Sequence, residues 1–129
     1  MPNEAITAAG AAPPPGSFSP AVLATGTRAL SISGQIADGP SGEIVGGGDA
    51  GEQARQALRN IDALLVTAGA TRADVVKISV FLTDIADRAA VAAARMEFFG
   101  DHKPAATLFR VAGLVTPELK VEIEATAIF

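Results

Sequence analysis

The stretch DVVKISVFLTD, residues 74–84, decides how the rest of the chain is interpreted. It is rich in β-branched and aromatic residues and is bounded by aspartates, a pattern typical of a strand. Its side chains divide between two faces, with Val76, Ile78, Val80 and Leu82 on one and Val75, Lys77, Ser79 and Phe81 on the other. Segments with helical spacing lie on both sides of this strand, which predicts helices packed against a sheet.

The helix before this strand has clear ends. Asp49 followed by Glu52 forms a capping-box pattern, and Gly69 is placed to end the helix in a left-handed conformation. Between them, apolar residues recur at helical spacing on one face: Ala54, Ala57, Leu58, Ile61, Leu64, Leu65 and Ala68. A second, alanine-rich helix is predicted from Asp84 or Asp87 to Gly100.

Four further segments complete the predicted sheet. AVLATGTRALSISG, residues 21–34, predicts a hairpin, while AATLFRV (105–111) and VEIEATAIF (121–129) predict two closing strands. The order β-β-α-β-α-β-β favours an α+β fold with both helices on one face of a mixed sheet. The opposite sheet face is predicted to be too apolar to stay in water, so we expect a symmetric subunit interface to cover it.

Length and composition indicate one globular domain over residues 1–129, in which residues 1–16 form an N-terminal segment and a proline-rich loop. The net charge of −4 disfavours nucleic-acid binding. The absence of cysteine excludes thiolate chemistry, and a single histidine, His102, excludes a histidine metal cluster within one chain. No signal-peptide pattern or membrane span is recognisable, so we expect a cytoplasmic protein that does not bind membranes.

Five segments occur in order along the chain: SISGQI, SGEIV, QARQALRNIDALLVTAGA, DVVKISVFLTD and VEIEATAI. Together they resemble the YjgF/RidA family, the reactive intermediate deaminases also described as endoribonuclease L-PSP. The resemblance runs from about Gly16 to Ile128. It implies a chorismate-mutase-like (ferredoxin-like) α+β fold, assembled as a homotrimer with the apolar sheet faces inside and ligand clefts at the subunit interfaces. It also implies hydrolysis of enamines or imines to a keto acid and ammonia, without a metal or organic cofactor.

The same resemblance assigns roles to individual residues. Glu122, in VEIEA, matches the family glutamate that is thought to act on a water or on the imine, and Gly34 matches a glycine whose backbone faces the ligand. Phe18 stands where the family has a tyrosine, so the ring is kept and the hydroxyl is lost. Thr107 and Leu108 are expected near the ligand.

Two positions depart from the family pattern. The asparagine of the second helix falls on Ala92, and the arginine of the PAR motif, which binds a substrate carboxylate, falls on Ala106. Arg110 shares a strand face with Ala106, so one hypothesis is that Arg110 serves a displaced anion site or pairs with Glu122. The alternatives are structural: a salt bridge of Arg110 at the trimer interface, or an ion pair of Glu122 with Arg110 or Lys120.

Two functions therefore remain open. The first is a hydrolase or deaminase that acts on an imine, an enamine or a related small metabolite, with a substrate different from that of typical deaminases because Ala106 replaces the arginine. The second is a trimer that binds a small metabolite or a partner protein without turnover. The endoribonuclease activity is disfavoured by the single histidine and by the absence of a basic patch, Tyr and Trp.

Overall fold

The computed structural model describes residues 3–12 and 16–129; the proline run at 13–15, predicted as a loop, lies outside the described residues. The described chain forms six strands and two α-helices in the order β1 (Asn3–Ile6), β2 (Ala21–Ala24), β3 (Ala29–Gln35), α1 (Ala50–Ala68), β4 (Val75–Leu82), α2 (Arg88–Phe99), β5 (Ala105–Arg110) and β6 (Val121–Ile128).

The main sheet has four strands in the order β3-β6-β4-β5. Strand β6 runs antiparallel to both of its neighbours, whereas β4 and β5 are parallel and are connected through α2. Apolar residues of α1, α2 and the sheet form one core, so both helices pack on the same face. The predicted α+β fold with a mixed sheet is confirmed.

The ends of α1 follow the predicted capping chemistry. The Glu52 backbone N–H donates to Asp49 Oδ1 at 3.1 Å, and Gly69 takes a left-handed conformation with φ of 86°. The Glu52 carboxylate contacts Arg55 at 2.8 Å instead of completing a reciprocal capping box.

Strand β4 contains an irregularity that changes which face its first residues occupy. The register with β6 shifts between Val75 and Lys77, so Val75 is fully buried in the core while Val76 is only half-buried. The prediction that Val76 shares a face with Ile78 was therefore wrong, because a bulge inserts one residue and reverses the alternation before it.

The predicted hairpin over residues 21–34 does not form. Strand β2 pairs with β1 in a separate two-stranded sheet, and β3 pairs with β6. The backbone N–H groups of Thr27 and Arg28 donate to the carbonyl of Phe129, which directs the chain onto β6. The sequence pattern identified both strands but did not reveal that residues 3–6 supply the partner of β2.

The sheet face opposite the helices, which we call the open face, is mixed in character. Polar residues on it include Lys77, whose Nζ lies 2.7 Å from Thr107 Oγ1. Its apolar part is concentrated where Phe81 and Phe109 stack with ring centroids 5.3 Å apart, and Phe109 is 45% exposed in the single chain. Within the described residues, neither helix has the length and apolar character that crossing a membrane would require.

Candidate functional site

An open cleft of about 690 Å³ lies between α2 and the edge strand β5. Three parts of the chain form its walls: the N-terminal segment, α2 with the turn before it, and β5. The lining residues are Ser17, Phe18, Ile85, Arg88, Ala89, Val91, Ala92, Arg95, Ala106, Thr107 and Leu108.

Hydrogen bonds hold the N-terminal segment beside β5. The Ser19 backbone N–H donates to the Pro104 carbonyl at 3.1 Å, and the buried Ser19 hydroxyl donates to the Lys103 carbonyl. Ser19 also forms an isolated parallel bridge with Ala105. These contacts place Phe18 in the lining of the cleft.

Helical spacing explains how α2 contributes to the cleft. Arg88, Ala92 and Arg95 are separated by four and then three residues, so they lie on one face of the helix. Ala92 on the helix and Ala106 on β5 are both small and half-buried, which leaves the space between the two elements open.

Arg95 is unusual among the residues of the cleft. It is only 6% exposed, and its Nε has no hydrogen-bond partner among the residues that the structure describes. None of the ion pairs formed within residues 3–12 and 16–129 includes it. Burial lowers the pKa of the guanidinium, although an arginine remains charged under ordinary conditions. A buried cation thus faces a cleft without a protein anion beside it.

A second group of predicted residues lies on the open face of the sheet. Glu122 on β6 is half-buried, and its carboxylate lies directly beside Gly34 on β3. A Cβ atom added to Gly34 would collide with Glu122 Oε2 and would lie 2.7 Å from Glu122 Cδ. Glycine at position 34 therefore makes room for this carboxylate, which joins no ion pair or hydrogen bond within the described chain.

The structure brings together four of the residues predicted to bind a ligand. Phe18, Ala106, Thr107 and Leu108 all line the cleft. Gly34 and Glu122 contact each other, but they lie on β3 and β6, on the far side of β4 from β5. In a single chain the predicted site is thus divided between two places.

Arg110 belongs to neither group. It is exposed at the end of β5 and does not line the cleft. Its register partner is Leu82, which is buried on the helix side, whereas Glu122 pairs with Phe81 and faces the open side. Arg110 and Glu122 of one chain accordingly point to opposite faces of the sheet.

The lone histidine has a structural contact. His102 Nε2 lies 2.6 Å from the Val75 carbonyl, so this nitrogen carries the proton and donates it. His102 is half-buried and its ring meets Phe99 edge-on.

Sequence reasoning missed Arg95. The sequence predicts an alanine-rich helix in this region and assigns no role to Arg95. The available signal is a charged residue at the spacing of Val91 and Phe99, which are both buried in the structure. No group of three His, Asp or Glu residues within the described residues is arranged to hold a metal ion.

Comparison with known proteins gives consistent matches over nearly the whole chain. The family model described as endoribonuclease L-PSP matches residues 9–129. A RutC family protein of Pyrococcus horikoshii is 41% identical over 126 residues, which is 97% of each chain. The 2-iminobutanoate/2-iminopropanoate deaminase of Homo sapiens is 42% identical over 114 residues, covering 88% of this chain and 80% of that protein.

Solved structures show the same fold. The crystal structure of a protein of unknown function from the conserved Rid family of Yersinia pestis superimposes over 100% of both chains with a TM-score of 0.93 and 38% identity. A YjgF/YER057c/UK114 family member from Mycobacterium tuberculosis covers 88% of this chain and 87% of its own, with a TM-score of 0.71 and 34% identity.

Proposed function

The chain belongs to the endoribonuclease L-PSP family, also called YjgF/RidA, and from this premise we propose that it hydrolyses the C=N bond of a small imine, or of the enamine that tautomerises to it. The observation that carries this proposal is the contact between Gly34 and the Glu122 carboxylate. It joins two residues that the family resemblance had assigned separately, and it leaves the carboxylate without a protein partner in the described chain.

The chemistry requires one water and a group that moves protons. Water adds to the imine carbon, the carbon–nitrogen bond then breaks, and the products are a keto acid and ammonia. The Glu122 carboxylate would accept a proton from the attacking water and pass it to the imine nitrogen, which gives a carbinolamine. It would then accept the hydroxyl proton of the carbinolamine and pass it to the departing amine, so it ends the cycle ionised as it began. No redox partner is needed, and no cofactor enters the proposed reaction.

We place this reaction at clefts shared between subunits of a homotrimer. In one chain the cleft beside β5 and the Glu122 carboxylate lie apart, so a neighbouring subunit would have to supply the missing half of the site. The exposed Phe109, stacked on Phe81, gives the open face an apolar patch that a partner subunit would cover. A closed symmetric ring would form three equivalent sites.

Ala106 argues that the substrate differs from that of family members with the PAR arginine, since β5 presents a methyl group to the cleft where those members present a guanidinium. The same observation supports a second candidate, a trimer that binds a small metabolite or a partner protein without turnover. The two candidates predict different results for the native protein and the Ala106→Arg variant. If the native protein only binds its ligand, the native protein would release no ammonia and only the variant would be active.

Ammonia release tests the proposal directly. Imines would be generated in situ by an amino-acid oxidase or a serine dehydratase, and ammonia would be measured with the native protein, Glu122→Gln and Glu124→Gln. Glu124 is the matched control because it is a glutamate on the same strand face but is exposed. We expect Glu122→Gln to lower the rate by a factor on the order of 10²–10⁴, the usual contribution of a general acid or base, and Glu124→Gln to leave it unchanged.

Equal loss in both variants would show that the effect is only one of charge, and equal rates in the native protein and Glu122→Gln would reject the catalytic role. A native protein that releases no ammonia, combined with an active Ala106→Arg variant, would favour the binding-only candidate. RNA incubated with the native protein should remain intact, in keeping with the net charge of −4.

A further inference from the structure

The cleft is lined by a buried positive charge that forms no ion pair within the described residues. Arg95 is 6% exposed, lines the cleft, and has an Nε without a partner among the described residues. We propose that Arg95 binds the carboxylate of the small-molecule ligand. Its side chain belongs to the α2 wall of the cleft, opposite Ala106 on β5. The inference rests on the proposed function for the class of ligand, and it adds a binding residue on a different element from Arg110.

Burial of an unpaired guanidinium is unfavourable, and this cost indicates what the cleft is built to receive. A charged group removed from water needs either an ion pair or several hydrogen bonds, and the described chain provides neither for Arg95 Nε. A carboxylate presents two oxygens in a plane, which matches the paired N–H groups of a guanidinium. A bound carboxylate would therefore supply the hydrogen-bond acceptor that the described residues do not provide for Arg95 Nε.

The rest of the lining restricts the ligand further. Among the described residues, no Asp or Glu lines the cleft. Arg88 lies two helical turns before Arg95, is exposed, and adds a second positive charge to the lining. Most of the other walls are apolar, with Ile85, Val91 and Leu108 among them. This combination suits a small carboxylic acid with a short apolar body, held by its charged end at Arg95.

Equilibrium binding to the full-length protein tests this assignment. The probes are 2-oxobutanoate, its uncharged analogue 2-butanone, and inorganic phosphate, each titrated by calorimetry. We expect 2-oxobutanoate to bind in preference to the other two, and Arg95→Met to weaken it by about tenfold or more, as for the loss of a charge-assisted hydrogen bond. Arg95→Lys should recover part of the affinity, and the exposed Arg59→Met on α1 should bind as the native protein does.

A measurement on the native protein covers the case in which Arg95→Met fails to fold. The Nε–H resonance of Arg95, assigned by its loss in Arg95→Lys, should shift when 2-oxobutanoate is added and should not shift with 2-butanone. Three results would overturn the assignment: unchanged affinity in a folded Arg95→Met, equal binding of phosphate and 2-oxobutanoate, or an Arg95 resonance that does not respond to saturating 2-oxobutanoate.

These outcomes are separable from those of the proposed reaction. Binding of a keto acid at Arg95 is measured without turnover, so it stands even if no imine is hydrolysed. Conversely, if ammonia release depends on Glu122 but is unchanged in kcat/KM by Arg95→Met, hydrolysis holds and the Arg95 assignment fails. An ion pair between Arg95 and a neighbouring subunit would also contradict the assignment. In that case Arg95→Met would dissociate the oligomer instead of weakening the binding of 2-oxobutanoate.

Discussion

At the scale of single residues, the proposed chemistry depends on the space that Gly34 leaves for the Glu122 carboxylate. Gly34 sits where β3 and β6 lose their regular register, between Ile32 and Gln35, and its missing side chain leaves room for the glutamate. Its role is close approach rather than backbone freedom, because its φ is not in the left-handed region.

Substituting Gly34 with alanine should therefore separate function from stability. The new Cβ would displace the Glu122 carboxylate, and we expect ammonia release to fall by about tenfold or more, as expected when a proton-transfer group is misplaced. The free energy of unfolding should change by less than about 1 kcal/mol, because the displaced atoms are the end of a flexible side chain. Steady-state kinetics and urea denaturation measure the two effects.

Gly113→Ala is the matched control, since an added Cβ at position 113 would meet nothing within 4 Å. It should leave both quantities near native values. Native activity in Gly34→Ala would mean that the position of the Glu122 carboxylate does not matter for the reaction.

At the scale of elements, Gln53 fixes the strand that carries Glu122. Gln53 is fully buried on α1; its Nε2 donates to the carbonyls of Gly47 and Glu118 at 2.7 and 3.0 Å, and its Oε1 accepts from the Lys120 backbone N–H at 2.8 Å. One side chain thus ties the loop before α1 to the segment that leads into β6.

Gln53→Leu keeps the approximate volume but leaves these three backbone groups unpaired. We expect the free energy of unfolding to fall by about 2–3 kcal/mol, as buried polar groups without partners are costly. Urea denaturation followed by circular dichroism would show it as a lower midpoint. Arg59→Leu, on the exposed side of the same helix, should change the free energy of unfolding by less than about 0.5 kcal/mol. Equal effects of the two substitutions would show that the Gln53 hydrogen bonds do not stabilise the fold.

The elements that the sequence predicted well are those whose signals are local. Asp49 and Gly69 mark the ends of α1 by capping chemistry, and period-two alternation marks β6. Partners distant in sequence left no such signal: β1, at Asn3–Ile6, is short and unpatterned, and it pairs with β2 only in the folded chain. The Gln53 contacts, which span up to 67 residues, were equally invisible.

The site was predictable to the same limited extent. Family resemblance named Phe18 and Ala106 as members of the site, and the structure places both at the cleft. Arg95 was hidden because helical spacing alone does not distinguish a buried arginine from a surface one. Only the position of α2 across the cleft from β5 shows that Arg95 lines a cavity.

At the scale of the whole molecule, the proposed activity depends on how the two halves of the site meet. The cleft and the Glu122 carboxylate are separated within one chain, so the proposed reaction requires a second chain in a fixed arrangement. A homotrimer should have a solution mass of three times the 13.0 kDa chain mass.

Complementation between two inactive variants tests this sharing most directly. Glu122→Gln keeps the cleft and removes the carboxylate, whereas Ala92→Phe fills the cleft and keeps the carboxylate. Each variant should be inactive alone while remaining folded by circular dichroism. The two would be co-expressed with different affinity tags, and ammonia release would be measured on the mixed oligomers.

If the site is shared, subunits that meet in the right order rebuild a native site from two damaged chains. For statistical assembly of a closed ring of three, roughly a quarter of the sites are native, so we expect roughly a quarter of native activity. Mixed oligomers no more active than either parent variant would contradict a shared active site and, with it, the proposed arrangement for imine hydrolysis.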